Sequence, residues 1–141
     1  MEIIIGKEYP KRVIPLVYEA KHSIDVIVYH WLWYSSDIGS QIQKFNAAIA
    51  SRSRTGKRVR VITNTNHTII ILKKLGIGAK KIRSSRLVHA KVLILDNKRA
   101  VIGSHNYTKN AFALNHEVSI LITDRKEIEK LSNFFAALWS R

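Results

Sequence analysis

Residues 89–117 read HAKVLILDNKRAVIGSHNYTKNAFALNHE, and this stretch decides how the rest of the 141-residue chain is interpreted. Its apolar runs predict two β-strands, over 89–95 and 99–103, joined by a tight turn at Asn97-Lys98. Alternate side chains of a strand project from the same face, so His89 and Lys91 should lie together. A nucleophile or proton carrier beside a fixed cation is suited to attack on a phosphodiester.

The pattern H-x-K-x-x-x-x-D, followed by G-S-x-N at residues 103–106, resembles the signature of the phospholipase D superfamily. The match is close to the small nucleases of that superfamily that carry one copy of the motif per chain. It spans residues 88–117, and several constrained positions at fixed spacing make it more specific than a lone glycine motif. The alternative is a β-hairpin with a chance histidine and lysine.

The resemblance implies that His89 is the nucleophile, which attacks phosphorus and forms a phosphohistidine. It also implies a carboxylate partner for the other imidazole nitrogen, and Glu117 is the natural candidate. Lys91 would supply a point charge to the phosphate, and Asn106 would donate amide N–H groups to a non-bridging oxygen. Ser104, two residues before Asn106, could share that face.

Asp96 completes the motif but sits beside the turn, and we interpret it as structural, bonding turn amides or a basic neighbour. His105 occupies the variable position of G-S-x-N. A strand would point it away from the site, so no role is assigned to it. Gly103 should permit a close backbone approach at the strand end.

Only one copy of the motif is present, because none of the other five histidines is followed by lysine two residues later. The resemblance implies a site built from two copies, in which the second histidine protonates the leaving group. The simplest closed solution is a homodimer with twofold symmetry and a shared site.

The basic residues are unevenly distributed along the chain, whose formal net charge is +14. No acidic residue occurs between Asp37 and Asp96. A segment of one sign that leads into the motif is what a polyanion groove needs, so we predict binding to DNA or RNA. The candidate contacts are Arg52, Arg54, Lys57, Arg58, Lys80, Lys81, Arg83 and Arg86. The alternative is a solvated basic face that binds anions loosely.

Length and composition predict one domain over residues 1–141. No apolar run reaches membrane-spanning length, so no stable membrane insertion is expected. The first residues lack the order of a secretory signal, which favours the cytoplasm, although a removed signal would leave no trace. The chain has no cysteine, its six histidines are dispersed and its carboxylates are few. We therefore predict neither a metal site nor a cofactor.

The rest of the chain alternates strand and helix patterns, which predicts an α/β fold with helices on both faces of a mixed β-sheet, as in the phospholipase D-like fold. Strands are predicted at 1–5, 23–29, 58–63 and 117–123, and helices at 10–20, 38–50, 68–75 and 126–140. An aromatic cluster at 29–34 could stack unpaired bases or pack in the core. Core packing is favoured for at least one of its tryptophans.

Three functions are compatible with these features. The first is a metal-independent phosphodiesterase, most simply a nonspecific endonuclease. The second is a phospholipid phosphodiesterase, which the absence of a membrane segment and of a recognisable lipid-binding helix weakens. The third is a noncatalytic nucleic-acid-binding module, against which the complete set of His89, Lys91, Asn106 and Glu117 argues. The sequence leaves open DNA or RNA and single or double strand.

Overall fold

A computed structural model describes residues 1–141 as seven β-strands and five α-helices. The strands are β1 (Glu2–Ile5), β2 (Ser23–Val28), β3 (Arg58–Thr63), β4 (Gly78–Lys80), β5 (Val92–Leu95), β6 (Arg99–Gly103) and β7 (Val118–Ile122). The helices are α1 (Glu8–Glu19), α2 (Gln41–Arg54), α3 (Asn66–Lys74), α4 (Lys109–Ala113) and α5 (Arg125–Trp139).

All seven strands form one mixed sheet in the order β1-β7-β6-β5-β2-β3-β4. The pairs β2–β3 and β3–β4 are parallel, and every other pair is antiparallel. All six residues of β2 are buried. A continuous β-branched run therefore marks this central strand, because both of its faces are covered.

The two faces of the sheet are covered unequally. Helices α1 to α4 pack on one face and close a core of 27 buried residues, whereas α5 alone covers the other face over a core of eight. The prediction of a mixed sheet between helices is confirmed. On the α5 side, β1 and β7 keep apolar side chains in solvent: Ile3 and Ile5 are each 56% exposed and Val118 is 52% exposed.

Local signals set where the helices begin and end. Helix α2 begins at Gln41, later than the predicted residue 38, because the Ser40 side chain accepts a hydrogen bond from the Gln43 amide and caps the first turn. The helix continues through Arg54, beyond the predicted end at residue 50, and Gly56 follows it with a positive φ of 87°. A glycine adopts that left-handed conformation without a Cβ clash.

The strand over residues 89–95 is shorter than predicted, because β5 begins at Val92. Val92 pairs with Ile27 on one side and Ile102 on the other, and the neighbouring strands end just beyond these residues. His89 and Lys91 therefore precede the strand. The predicted turn is also shifted by one residue: Asp96 and Asn97 carry the positive φ values of 57° and 53°.

Strand direction gives the sheet two functionally different ends. At the motif end, β2, β3 and β6 finish while β5 and β7 begin. At the opposite, distal end, β2 and β3 begin and β5 finishes at the Asp96-Asn97 turn. None of the five helices combines the length and apolar character needed to cross a bilayer.

Candidate active site

His89 and Lys91 meet at the motif end of the sheet. The Lys91 ammonium lies 3.2 Å from His89 Nδ1 and 3.3 Å from Nε2, and it donates to the His89 carbonyl at 2.9 Å. The pair forms although neither residue belongs to β5. The two side chains therefore lie together as predicted. Residues 89–91, however, precede the strand instead of forming its first part.

The groups around the His89–Lys91 pair change the pKa of Lys91 and limit access to the imidazole. Partial burial lowers the pKa of the Lys91 ammonium, and the nearby Glu117 carboxylate acts in the opposite direction. The Tyr29 ring lies 5.1 Å from the His89 ring, and the Lys91 nitrogen lies 5.9 Å from the centre of the Tyr29 ring. An aromatic wall on one side of the imidazole restricts how a substrate can approach it.

Ser104, Asn106 and Glu117 also lie at the motif end, on the connection between β6 and β7 and at its close. The Asn106 Oδ1 atom accepts a hydrogen bond from the His30 amide at 3.1 Å. This orientation leaves the two N–H donors of the Asn106 amide for an anion. The structure thus presents a lysine cation and an amide donor at the end of the sheet where His89 stands.

The hydrogen bonds of Glu117 differ from the predicted pairing. Its Oε1 accepts from the Ser104 hydroxyl at 2.6 Å, and its Oε2 accepts from the Asn115 amide at 3.1 Å. The predicted hydrogen bond from His89 to Glu117 is not formed within the chain. Glu117 instead orders the β6–β7 connection and contributes negative potential at Lys91.

Gly103 sets the distance between β6 and β7 at this end. A Cβ atom at this position would lie 2.4 Å from the Cα atom of Ser119 and from the Val118 carbonyl oxygen. No side chain fits into that gap without moving the backbone. The glycine therefore lets β6 approach β7 closely just before Ser104, as the sequence predicts.

Asp96 stands at the distal end, one β5 length away from Lys91. Its carboxylate accepts hydrogen bonds from the backbone amides of Lys21, His22 and Ser23, at 2.7 to 3.1 Å. Partial burial alone would raise the pKa of this carboxyl, but the three amides and the nearby His22 outweigh it and lower the pKa. Asp96 thus fastens the α1–β2 loop to the β5–β6 turn, in agreement with its structural interpretation.

We expect Asp96→Asn to lower the free energy of unfolding at neutral pH by about 1–2 kcal/mol, because charged acceptors make the stronger hydrogen bonds. Asparagine keeps the side-chain shape and tolerates the positive φ. The folded-state pKa of Asp96 is depressed, so its stabilisation is present above the ordinary value of 3.8 and is lost as the pH falls through the lower folded value. Urea unfolding at pH 7 and pH 3 measures this; an equal deficit at both values would contradict a charge effect.

The eight predicted nucleic-acid contacts do not form one groove. Lys81, Arg83 and Arg86 are exposed on the segment that leads to His89. Arg52 and Arg54 at the end of α2, together with Lys57 and Arg58 at the start of β3, lie at the distal end. The predicted contacts therefore fall into two groups at opposite ends of the sheet, because α2 runs back from the motif end and carries its cations with it. Their binding to nucleic acid stays a prediction.

Lys80 is also engaged within the fold. Its ammonium donates to the Trp139 carbonyl and, at 3.2 Å, to an oxygen of Arg141, and it lies 4.6 Å from the centre of the Trp139 ring. These contacts hold the end of α5 against β4. Lys80 therefore serves the packing of the α5 face, whatever it contributes to anion binding.

The aromatic cluster and His105 belong largely to the core. Trp31 is fully buried and donates from Nε1 to Asn46 at 2.6 Å, while Tyr107 packs edge-on against it at 5.0 Å. Of this cluster, Tyr29 is the ring that packs against His89. His105 is buried between Ser119 and the Gly6 carbonyl, and burial lowers its pKa. The absence of a catalytic assignment for His105 agrees with this position.

Two supporting residues are not apparent from the sequence. Asn64, just after β3, donates to the Val88 carbonyl at 3.3 Å and so steadies the approach to His89. Asn115 orients Glu117. An asparagine two residues before the motif carboxylate is a signal for the second contact, but nothing local links residues 64 and 88. No three histidine or acidic side chains come together in a group that could hold a metal ion.

A family model described as the cardiolipin synthase, PLD-like domain matches residues 13–139. Among curated proteins, the mitochondrial cardiolipin hydrolase of Canis lupus familiaris is 24% identical over 140 residues, which is 95% of this chain and 52% of the relative. The human protein of the same name is 22% identical over 142 residues, 96% of this chain and 53% of the relative. The chain thus spans about half the length of these relatives.

Solved structures show the same fold at low identity. NucT from Helicobacter pylori superposes with a TM-score of 0.84 at 21% identity, and the match covers 99% of this chain and 94% of that one. Nuc from Salmonella typhimurium, described as a phospholipase D family member, gives a TM-score of 0.81 at 20% identity with the same coverage. Both matches extend over almost the whole of each chain.

Proposed function

The chain belongs to the phospholipase D superfamily of phosphodiesterases, and from this premise we propose that it is a metal-independent endonuclease acting on DNA or RNA. The observation that carries the proposal is the contact between the His89 imidazole and the Lys91 ammonium at 3.2 Å. It combines a nucleophile with a cation that can neutralise charge on the attacked phosphate.

The proposed reaction has two steps. An imidazole nitrogen of His89 attacks phosphorus, an N–P bond forms, and the P–O bond to the leaving oxygen breaks as that oxygen takes a proton from the partner's His89. Water then attacks phosphorus, gives its proton to that second histidine and releases His89. Lys91 and the free amide donors of Asn106 stabilise the charge on the non-bridging oxygens.

The proton donor in this scheme requires a second copy of the chain. The apolar surface left bare beside α5 supports this, because exposed apolar patches of this kind are typical of interfaces. Ile3, Val118 and Phe134 line a hollow of about 600 Å³ together with Lys91 and Gly103. The bare face is thus continuous with the motif end, where a second His89 is needed.

The charge near His89 favours nucleic acid as the substrate. Arg86 and His89 line the same hollow of about 250 Å³, and Lys81 and Arg83 are exposed on the segment before them. These cations can contact phosphates on either side of the scissile bond. Arg86 and Arg83 are therefore the principal phosphate contacts that we propose near the active site.

A phospholipid phosphodiesterase is the second candidate. The family description and the names of the curated relatives refer to cardiolipin. The hollow that contains His89 also has apolar walls from Leu87, Val88 and Phe134, which could accept an acyl chain. The two candidates share the same catalytic residues and differ only in what occupies the space around them.

We expect cleavage of labelled DNA or RNA to persist in millimolar EDTA, because Lys91 and Asn106 supply the electrophilic assistance. The assay compares single- and double-stranded DNA, RNA, phosphatidylcholine and cardiolipin vesicles, each with EDTA and with Mg²⁺. Lys91→Ala, with the matched surface variant Lys73→Ala, tests whether that assistance comes from the site.

Loss of cleavage on chelation, restored by Mg²⁺, would contradict the metal-independent mechanism. Turnover of cardiolipin vesicles without turnover of any nucleic acid would replace the first candidate by the second. If no substrate is turned over, the noncatalytic module is the remaining function.

A further inference from the structure

A basic hollow lies at the distal end of the sheet, away from His89. This distal hollow, lined by Tyr18, Glu19, Lys21, Arg52, Lys57 and Arg99, has a volume of about 560 Å³ and opens to solvent. It is built where α1 and α2 finish and β3 and β6 begin. The catalytic proposal leaves it without a role.

The charges in the distal hollow are poorly balanced. Arg99 is paired with Glu19 at 3.3 Å, so the only carboxylate in the lining is already engaged. The nearby Asp96 carboxylate is occupied by three backbone amides. Lys21, Arg52 and Lys57 take part in none of the five ion pairs of the chain. Three cations therefore face one space without a counterion.

Arg52 is held in place and has an unused donor. Its guanidinium lies 5.6 Å from the centre of the Tyr18 ring, and its Nε atom is buried without a hydrogen-bond partner. A buried donor without a partner is costly unless a ligand satisfies it. The planar guanidinium fork matches the geometry of a phosphate oxygen pair. Lys57, which donates only to the Thr55 carbonyl at 3.3 Å, can add a second donor.

The shape and surroundings of the distal hollow favour a phosphate that belongs to a polymer. An enclosed pocket would be expected for a small anion, but this hollow is open. Arg54 and Arg58 extend the basic surface beyond its rim, although Arg58 also lies 3.8 Å from Asp25. A strand that passes over the rim could meet several of these cations in succession.

We propose that the distal hollow binds a backbone phosphate of the nucleic-acid substrate at a distance from the scissile bond. The inference rests on the proposed function. The seven residue steps from His89 to Asp96 span up to about 23 Å at roughly 3.3 Å per residue. About seven base pairs of duplex cover that distance at roughly 3.4 Å per pair. The distal contact is therefore available to long substrates and out of reach of a small phosphodiester.

The test is the double variant Arg52→Gln/Lys57→Gln, with Lys73→Gln/Lys74→Gln at the exposed end of α3 as a control of equal charge change. Fluorescence anisotropy with a DNA of about 30 base pairs, roughly four times the distance from His89 to Asp96, measures affinity as a function of salt. We expect about tenfold weaker binding near 0.1 M salt and a salt slope reduced by about one per cation removed. The rate on bis(4-nitrophenyl) phosphate should stay unchanged.

Three results of the binding measurements would overturn the inference. Unchanged affinity and salt slope would show that the distal hollow does not contact DNA. If the control variant weakened binding equally, the effect would come from net charge and not from the hollow. Weaker binding to anionic phospholipid vesicles, with DNA binding intact, would assign the phosphate to a lipid headgroup. If loss of the Arg52–Tyr18 contact impairs folding of the double variant, Lys57→Glu replaces it. Thermal unfolding of each variant is measured in parallel. Because binding is measured directly, a chain that binds DNA but cleaves none contradicts the proposed function and leaves this inference standing.

Discussion

His89→Ala should reduce the turnover of nucleic acid by about four orders of magnitude or more, which is the scale on which a lost nucleophile acts. Without the imidazole there is no atom to form the N–P bond, and Lys91 and Asn106 are left to stabilise a charge that does not develop. Binding should remain close to that of the unchanged protein, since it rests on the arginines and lysines. Steady-state kinetics and anisotropy on the same substrate measure the two effects separately.

His22→Ala is the matched control, because His22 is exposed at the distal end of the sheet and is not followed by the motif lysine. Its turnover should equal that of the unchanged protein. A labelled phosphoryl-enzyme, trapped by a rapid denaturing quench at alkaline pH, should form with the control and be absent with His89→Ala. Substantial turnover by His89→Ala would reject the nucleophile assignment.

Mixing subunits should give the second large effect. When unchanged and His89→Ala chains are unfolded together and refolded, dimers that contain one histidine lack either the nucleophile or the proton donor. If both are essential, activity falls as the square of the unchanged fraction, to about a quarter in an equal mixture of randomly pairing subunits. Assay of mixtures across the full range of ratios distinguishes this curve from a straight line.

Refolding with His22→Ala chains controls for losses during the procedure and should leave the activity constant at every ratio. Sedimentation should show a dimer, and Val118→Lys, on the bare apolar face, should shift it towards the monomer with loss of turnover. A linear fall in the mixing curve, or a fully active monomer, would show that each chain carries its own complete site.

The strands and helices with a clear pattern of apolar residues could be predicted from the sequence. Strands β3 and β6 have the predicted bounds, because their apolar runs are flanked by polar residues or glycine and their partners extend as far as they do. Strand β4 and helix α4 were not predicted. The three residues Gly78–Lys80 carry too little pattern, and α4 depends on a Thr108 cap that accepts from Ala111 at 3.1 Å.

In the candidate site, contacts between residues close in sequence were likewise predictable, and contacts between distant residues were not. The pairing of His89 with Lys91 was predictable, because the two residues are only two positions apart and just precede β5. The partner of Glu117 was not, because Ser104 reaches it only through the register of β6 against β7. The division of the basic residues into two groups was not predictable for a related reason: the return of α2 across the sheet places Arg52 and Arg54 at the distal end.

The hydrogen bonds of Asp96 to the α1–β2 loop affect how the motif should be interpreted in other sequences. Its aspartate contacts three loop amides one strand length from the histidine, so the interval between Lys91 and Asp96 records the length of β5. The motif therefore has a catalytic part, His89 and Lys91, and a structural part, Asp96. The two parts can diverge separately. A chain that retains the aspartate and has lost the histidine should still adopt this fold, and a search that scores both parts together would mistake inherited architecture for inherited catalysis.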